Sequence, residues 1–185
     1  MQKVVVLDAC VLYPAPLRDI LLHFYRQNLY QGRWSAEIHE EWTRNLIHNR
    51  PDLTAKNIHK VQRLMDDTFP DAVVANSEEN KSGIQLPDSA DIHVLATAIE
   101  SKADYIITYN LRDFPEEELK KYKIKAIHPD DFLTECINKN PDAAIIAFKN
   151  QVKFLKNPKL SPRQVLEYLR KNKLSQTVTL LEKLL

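Results

Sequence analysis

Hydrophobic positions along the chain change their period several times, and each change marks an element. KVVVLDA, residues 3–9, carries an unbroken β-branched run without alternation, the pattern of a strand buried on both faces in a parallel sheet, and the run ends at Asp8. After the YPAP turn, Leu17, Ile20, Leu21 and Phe24 recur at three and four, which predicts an amphipathic helix to about Asn28. RWS leads into a second helix, with Ser35 suited to the N-cap, Glu37 near the positive helix end, and Ile38, Trp42 and Leu46 as the apolar stripe before Pro51. A third helix is predicted over 54–68, then a second strand at 71–75 (DAVVA) and a polar loop at 76–85. LPDSADIHVLATAI, residues 86–99, opens a helix reaching about Lys102, which hands over to the strand YIITYN and a fourth strand, IKAI, at 124–127.

Strands alternating with helices indicate an α/β fold around a mainly parallel sheet. Past His128 the strand signals cease, and helices are predicted at about 129–138, 141–156, 161–171 and 175–184. Asn140–Pro141 and Ser161–Pro162 each place a capping side chain before a proline at the first helical position. The division expected is therefore an α/β body, residues 1–132, and a helical C-terminal extension, 133–185, packed against the body or hinged from it.

With 185 residues the chain can bury a core that needs no disulfides. Its two cysteines, Cys10 and Cys136, lack CxxC spacing and read as reduced thiols. The initial VVVL run is far shorter than a secretory or membrane segment, so a cytoplasmic protein without membrane partners is expected. The net charge of +1 hides a split: residues 149–173 hold eight basic residues against one acid, a local +7 that leaves about −6 on the rest.

Several acids fall where a parallel sheet can use them. Asp8 ends the first strand, at the sheet edge where open α/β folds bind ligands. Glu41 lies beside the stripe of its helix, whereas Glu40 faces away. Asp91 precedes Val94, Leu95 and Ala98 at helical spacing and points inward, its charge favoured by the helix end, while Asp88 sits at a natural cap position. Asp113 follows the strand YIIT, with Thr108 and Asn110 beside it, placed to orient Asp113, contact substrate or cap the loop. Two carboxylates about 4 Å apart repel by about 4 kcal/mol at an effective dielectric near 20, so three or four together require a cation. Oxygen ligands suit Mg²⁺ or Mn²⁺; zinc favours His and Cys, and the six histidines form no zinc motif. Walker and GxGxxG loops are absent, and Cys10 stands where a haloacid-dehalogenase-like phosphatase needs its second aspartate.

VVLDACVLYPAPLRDILL, WSAEIHEEWTRNL, LPDSADIHVLATAI and ADYIITYNLRDF, in this order, resemble the acidic motifs of a PIN domain over about residues 1–132. The resemblance implies a three-layer α/β/α sandwich and a Mg²⁺- or Mn²⁺-dependent ribonuclease, with Asp8, Glu41, Asp91 and Asp113 as catalytic and metal-binding acids; Asp88, Thr108 and Asn110, read from their positions, are candidates for a supporting layer behind them. Many small members resemble the toxin of VapBC-type toxin–antitoxin pairs, which implies an RNA substrate such as tRNA and a small antitoxin protein as partner. The C-terminal helices are similar to those of a subset of VapC-like proteins. Lys149, Lys153 and Lys156 share a helical face beside Ile145, Phe148, Val152 and Leu155. That tail is open to three roles: an RNA handle, a solvated lysine face, or a surface for an antitoxin or a second copy in a homodimer. The alternative to a nuclease is a catalytically inactive PIN-like module that binds RNA or a protein partner.

Overall fold

A computed structural model describes residues 2–76 and 78–185. In chain order the elements are β1 (Val4–Leu7), α1 (Ala9–Leu12), α2 (Ala15–Arg26), β2 (Gln31–Ser35), α3 (Ala36–Asn49), α4 (Ala55–Thr68), β3 (Val73–Val74), α5 (Glu78–Lys81), α6 (Ile92–Glu100), β4 (Tyr105–Ile107), α7 (Glu116–Lys120) and β5 (Lys125–Ile127). Four helices close the chain: α8 (Pro129–Lys139), α9 (Pro141–Phe154), α10 (Pro162–Lys171) and α11 (Ser175–Leu184). Short 3₁₀ turns at Pro70–Ala72, Ser89–Asp91 and Leu111–Asp113 complete the described elements.

The sheet runs β3-β2-β1-β4-β5, and every pairing is parallel. From β1 the chain steps through β2 to β3, then crosses back to β4 and on to β5. Right-handed crossovers therefore place α2 on one face and α6 and α7 on the other, a three-layer sandwich. The direction of winding reverses between β1 and β4, and such a switch point opens a crevice at the carboxyl ends of the strands. Val5, Val6 and Leu7 of β1 are fully buried, as a central strand covered on both faces must be.

Several parts of this architecture differ from expectation: α1 and α7 were not expected, and the strand expected at 71–75 is shortened to Val73–Val74 by the 3₁₀ turn before it. QGRWS is a strand, β2, between β1 and β3, although its only buried large side chain is Trp34; Gly32 fills its other buried apolar position, where a Cβ would meet the Tyr25 ring at 3.0 Å. The polar stretch expected as loop holds α5; Ser77, within that stretch, lies outside the described residues.

The four C-terminal helices pack on the body. Ala144, Ala147 and Phe148 of α9 are fully buried against it, and Gln151 Nε2 donates to the Pro16 carbonyl at the start of α2, at 3.0 Å. Phe132 of α8 meets the Tyr30 ring edge-on at 5.1 Å between centroids. The Asp130 carboxylate accepts the backbone N–H groups of Gln176 and Thr177, at 3.0 and 2.8 Å, satisfying donors at the start of α11. One hydrophobic cluster runs from Val5 to Leu181 without a break. No helix among the described residues is long and apolar enough to cross a membrane.

Candidate active site

Asp8 occupies the switch point because β1 ends there. In the register of β1 against β4, Leu7 pairs with Ile107, which brings the following residues, Asp8 and Thr108, side by side. Thr108 Oγ1 donates to Asp8 Oδ2 at 2.7 Å, and Cys10 Sγ donates to the same oxygen at 3.1 Å. Thr108 in turn receives the Asn110 N–H at 2.9 Å, and Cys10 Sγ receives that of Tyr109 at 3.3 Å. Thr108 thus holds Asp8 and, by accepting the Asn110 N–H, caps its own loop, one of the three roles left open by the sequence. Burial pushes the Asp8 carboxyl up, and the charge of Glu41 adds to that, against the opposing effect of these hydrogen bonds. Burial and then the Asp8 charge push the Cys10 thiol far up, so it stays protonated and donates.

Asp91 reaches the same crevice from the other face of the sheet. The Asp88 side chain accepts the Ala90 N–H at 2.8 Å and starts the 3₁₀ turn that ends at Asp91, so the α-helix proper begins one residue later, at Ile92. Asp91 is buried and makes no capping hydrogen bond to α6. Burial, then the charges of Asp8, Asp113, Asp88 and Glu41, push its carboxyl up to about 7. The helix end was expected to hold this group ionised; burial and four neighbouring acids outweigh it.

Glu41, on α3, borders a recess with Glu37, Glu40, Arg44, Asn45, Ala90 and His93. His93 Nε2–H donates to Glu41 Oε2 at 3.0 Å. The His93 carbonyl accepts from Thr97 Oγ1 and Asn76 Nδ2 at 2.7 and 3.2 Å, while His93 Nδ1 is buried without a partner among the described residues. Asp113, half-buried, closes the 3₁₀ turn whose first hydrogen bond runs from its N–H to the Asn110 carbonyl, at 3.0 Å. The Asn110 side chain makes no capping hydrogen bond to that turn.

Sequence reasoning passed over His93 and the role of Cys10. His93 was one scattered histidine among six, and its position two residues after Asp91 was the available signal. Lys149, Lys153 and Lys156 are exposed, and the last two line a recess with Lys159 and Leu160. Lys171 and Lys173, at the end of α10, lie beside Cys10 and Asn110.

Among the described residues, no three His, Cys, Asp or Glu side chains stand close enough together to enclose a metal ion. The acids act on one another through charge without forming a closed cage. Mg²⁺ commonly keeps several waters and takes one or two carboxylates directly, and an open set of carboxylate oxygens fits that habit where a closed zinc site would not.

A family model described as PIN domain matches residues 4–112, more than half of the chain. The chain belongs to the PIN-domain family. The match ends one residue before Asp113 and contains Asp8, Glu41 and Asp91. A second model, described as VapC50 C-terminal domain, matches residues 129–183, the helical region that follows the PIN domain. Among curated proteins, "Putative ribonuclease VapC50" of Mycobacterium tuberculosis (strain ATCC 25618 / H37Rv) is 39% identical over 79 residues, which cover 43% of this chain and 47% of that protein. The matched stretch thus spans about half the length of that relative. No solved structure matches the chain. Both the PIN-type sandwich and the likeness to VapC-type proteins agree with the motif order along the sequence.

Proposed function

We propose that this PIN-domain protein is a Mg²⁺- or Mn²⁺-dependent endoribonuclease that hydrolyses RNA phosphodiester bonds. In this proposal it is the toxin of a VapBC-type pair in the cytoplasm, with a structured RNA such as tRNA as substrate and a small antitoxin protein as partner. The observation that carries the reading is the charge coupling at Asp91, which feels acids from three other segments at the switch point of the sheet. Relatedness to a protein named as a ribonuclease supports the same class.

Asp8, Asp91 and Asp113 would hold the metal, directly or through water, with Glu41 as a further ligand or a water-orienting base. When bound, such a cation supplies positive charge against the acids and the scissile phosphate and lowers the pKa of an attacking water. The protein's own contribution is positional. Thr108 and Cys10 fix Asp8, and His93 fixes Glu41 toward its recess. Proton transfer from an attacking water to the Glu41 carboxylate is open to a group so placed.

The test uses purified protein and structured RNA. Cleavage is expected with Mg²⁺ or Mn²⁺ and lost in excess chelator, and Asp91→Asn is expected to slow it by about a hundredfold or more with the fold retained by circular dichroism. Undiminished cutting in chelator or in Asp91→Asn would sink the mechanism. The alternative reading is an inactive RNA-binding or partner-binding module. That reading requires salt-sensitive RNA affinity, indifference to metal and no cleavage products.

A further inference from the structure

The acidic crevice must accept a polyanion, and the body around it carries a net negative charge of about six. Beside the crevice lies a cavity of about 290 Å³ lined by Cys10, Tyr109, Asn110, Lys171, Asn172 and Lys173. It touches the reaction centre through two short connections. Cys10 is the thiol that donates to Asp8, and Asn110 begins the turn that carries Asp113. The other wall is the C-terminal end of α10, tied down by the Tyr109 hydroxyl, which donates to the Asn172 carbonyl at 2.6 Å. Lys173 turns the chain there with a left-handed φ of 61°, and its ammonium lies 6.0 Å from the centre of the Tyr109 ring.

Arg163 and Arg170 form ion pairs with Glu167 and Glu182. Lys171 and Lys173 share with Lys149, Lys153, Lys156 and Lys159 the lack of a carboxylate partner among the described residues, and it is their place beside Cys10 and Asn110 that sets them apart. Asn110 is exposed, and its side-chain amide has no protein hydrogen bond among the described residues. Two unpaired ammonium groups and an amide donor, anchored next to an acidic centre, make an anion subsite with donors and no competing acid on its lining.

We propose that Lys171, Lys173 and Asn110 form a phosphate subsite that holds a phosphodiester of the RNA strand next to the scissile one, so that the C-terminal region supplies one side of the active site. This rests on the ribonuclease reading for its position in catalysis, but its ligand chemistry can be tested by binding alone.

The experiment measures fluorescence anisotropy of fluorescein-labelled tRNA with the full chain in chelator, across a salt series, for wild type, Lys171→Gln/Lys173→Gln, the charge-conserving Lys171→Arg/Lys173→Arg, and a control, Lys56→Gln/Lys60→Gln, on exposed α4 positions. The glutamine pair at the subsite is expected to weaken binding about tenfold near 0.1 M salt and to lower the slope of log affinity against log salt by about 1 to 2. The arginine pair should restore most of both, and the control pair should change affinity less than twofold. Equal effects from the two glutamine pairs, no effect from either, or no binding by wild type would overturn the subsite. Competition by poly-glutamate as effective as that by unlabelled tRNA would overturn it in favour of an acidic protein segment. Metal-dependent cleavage with wild-type binding and rate in the subsite variant sinks the subsite and spares the nuclease. The specific binding loss without any cleavage by wild type keeps the phosphate site and sinks the nuclease.

Discussion

Asp91 carries an electrostatic load that an asparagine would not. Its carboxyl is pushed up to about 7 in the folded chain from an ordinary value of 3.8. Below the ordinary value both folded and unfolded states hold the proton, and ionisation changes nothing. As pH rises from about 4 to about 7 the unfolded chain releases its proton first, which draws the equilibrium toward unfolding, and the penalty is complete above about 7. Asp91→Asn should therefore be more stable than wild type in chelator at pH 7.5 by about 1–3 kcal/mol, allowing for solvent screening, and equal to it near pH 4. Urea midpoints at the two pH values check this, and a pH-independent difference would show that the carboxyl is not held up. The gain in stability is expected alongside loss of cleavage, a trade common where acids are gathered for chemistry. The inward placement of Asp91 was legible from helical period alone. The partners of Asp8 were not, since Thr108 lies 100 residues away and meets it only through the strand register.

Among the elements, β2 was the hardest to read, and Gly32 explains why. Gly32 and Trp34 do alternate inward with Gln31 and Arg33, but of the three buried positions Gly32 and Ser35 carry no large apolar side chain, which removes the apolar signal on which a strand is recognised. The glycine is required by the next layer. A Cβ there would meet Tyr25 at 3.0 and 3.2 Å, and that ring is held between Phe69 and Tyr30, with centroids at 4.4 and 5.7 Å. Gly32→Ala should cost about 1–3 kcal/mol by denaturant titration, as overpacking does. In a Tyr25→Ala background the same change should cost much less, and an unchanged cost would place its origin in the backbone. By contrast, α3, α4 and α9 were legible because Ser35, Thr54 and Asn140 each accept a hydrogen bond in the first turn, a local event that needs no partner element. The start of α6 was offset because Asp88 caps a 3₁₀ turn, a distinction that helical spacing does not encode.

On the scale of the whole molecule, the C-terminal helices and the body share one hydrophobic cluster. The end of the strand signals past His128 suggested a helical extension packed on the body or hinged from it, and the hydrophobic cluster passes from Val5 through Phe132 and Phe148 to Leu181. Polar ties cross the same boundary at Gln151 to Pro16 and Tyr109 to Asn172, and the second of these lies beside the reaction centre. Removing the C-terminal helices would expose Ala144, Ala147 and Phe148 and the face of α2 on which α9 packs, so neither part has a complete apolar surface of its own. The whole chain should therefore unfold in one calorimetric transition with an enthalpy of about 130 kcal/mol near 60 °C, scaled from its length. A hinged helical unit of residues 133–185 would instead melt separately with about 40 kcal/mol. Agreement between the calorimetric and van't Hoff enthalpies would establish the single transition, and two resolved peaks would contradict it. The same coupling ties the Lys171–Lys173 corner to the body through Tyr109 and Asn172, which is what a tail residue needs in order to hold a phosphate beside the acids.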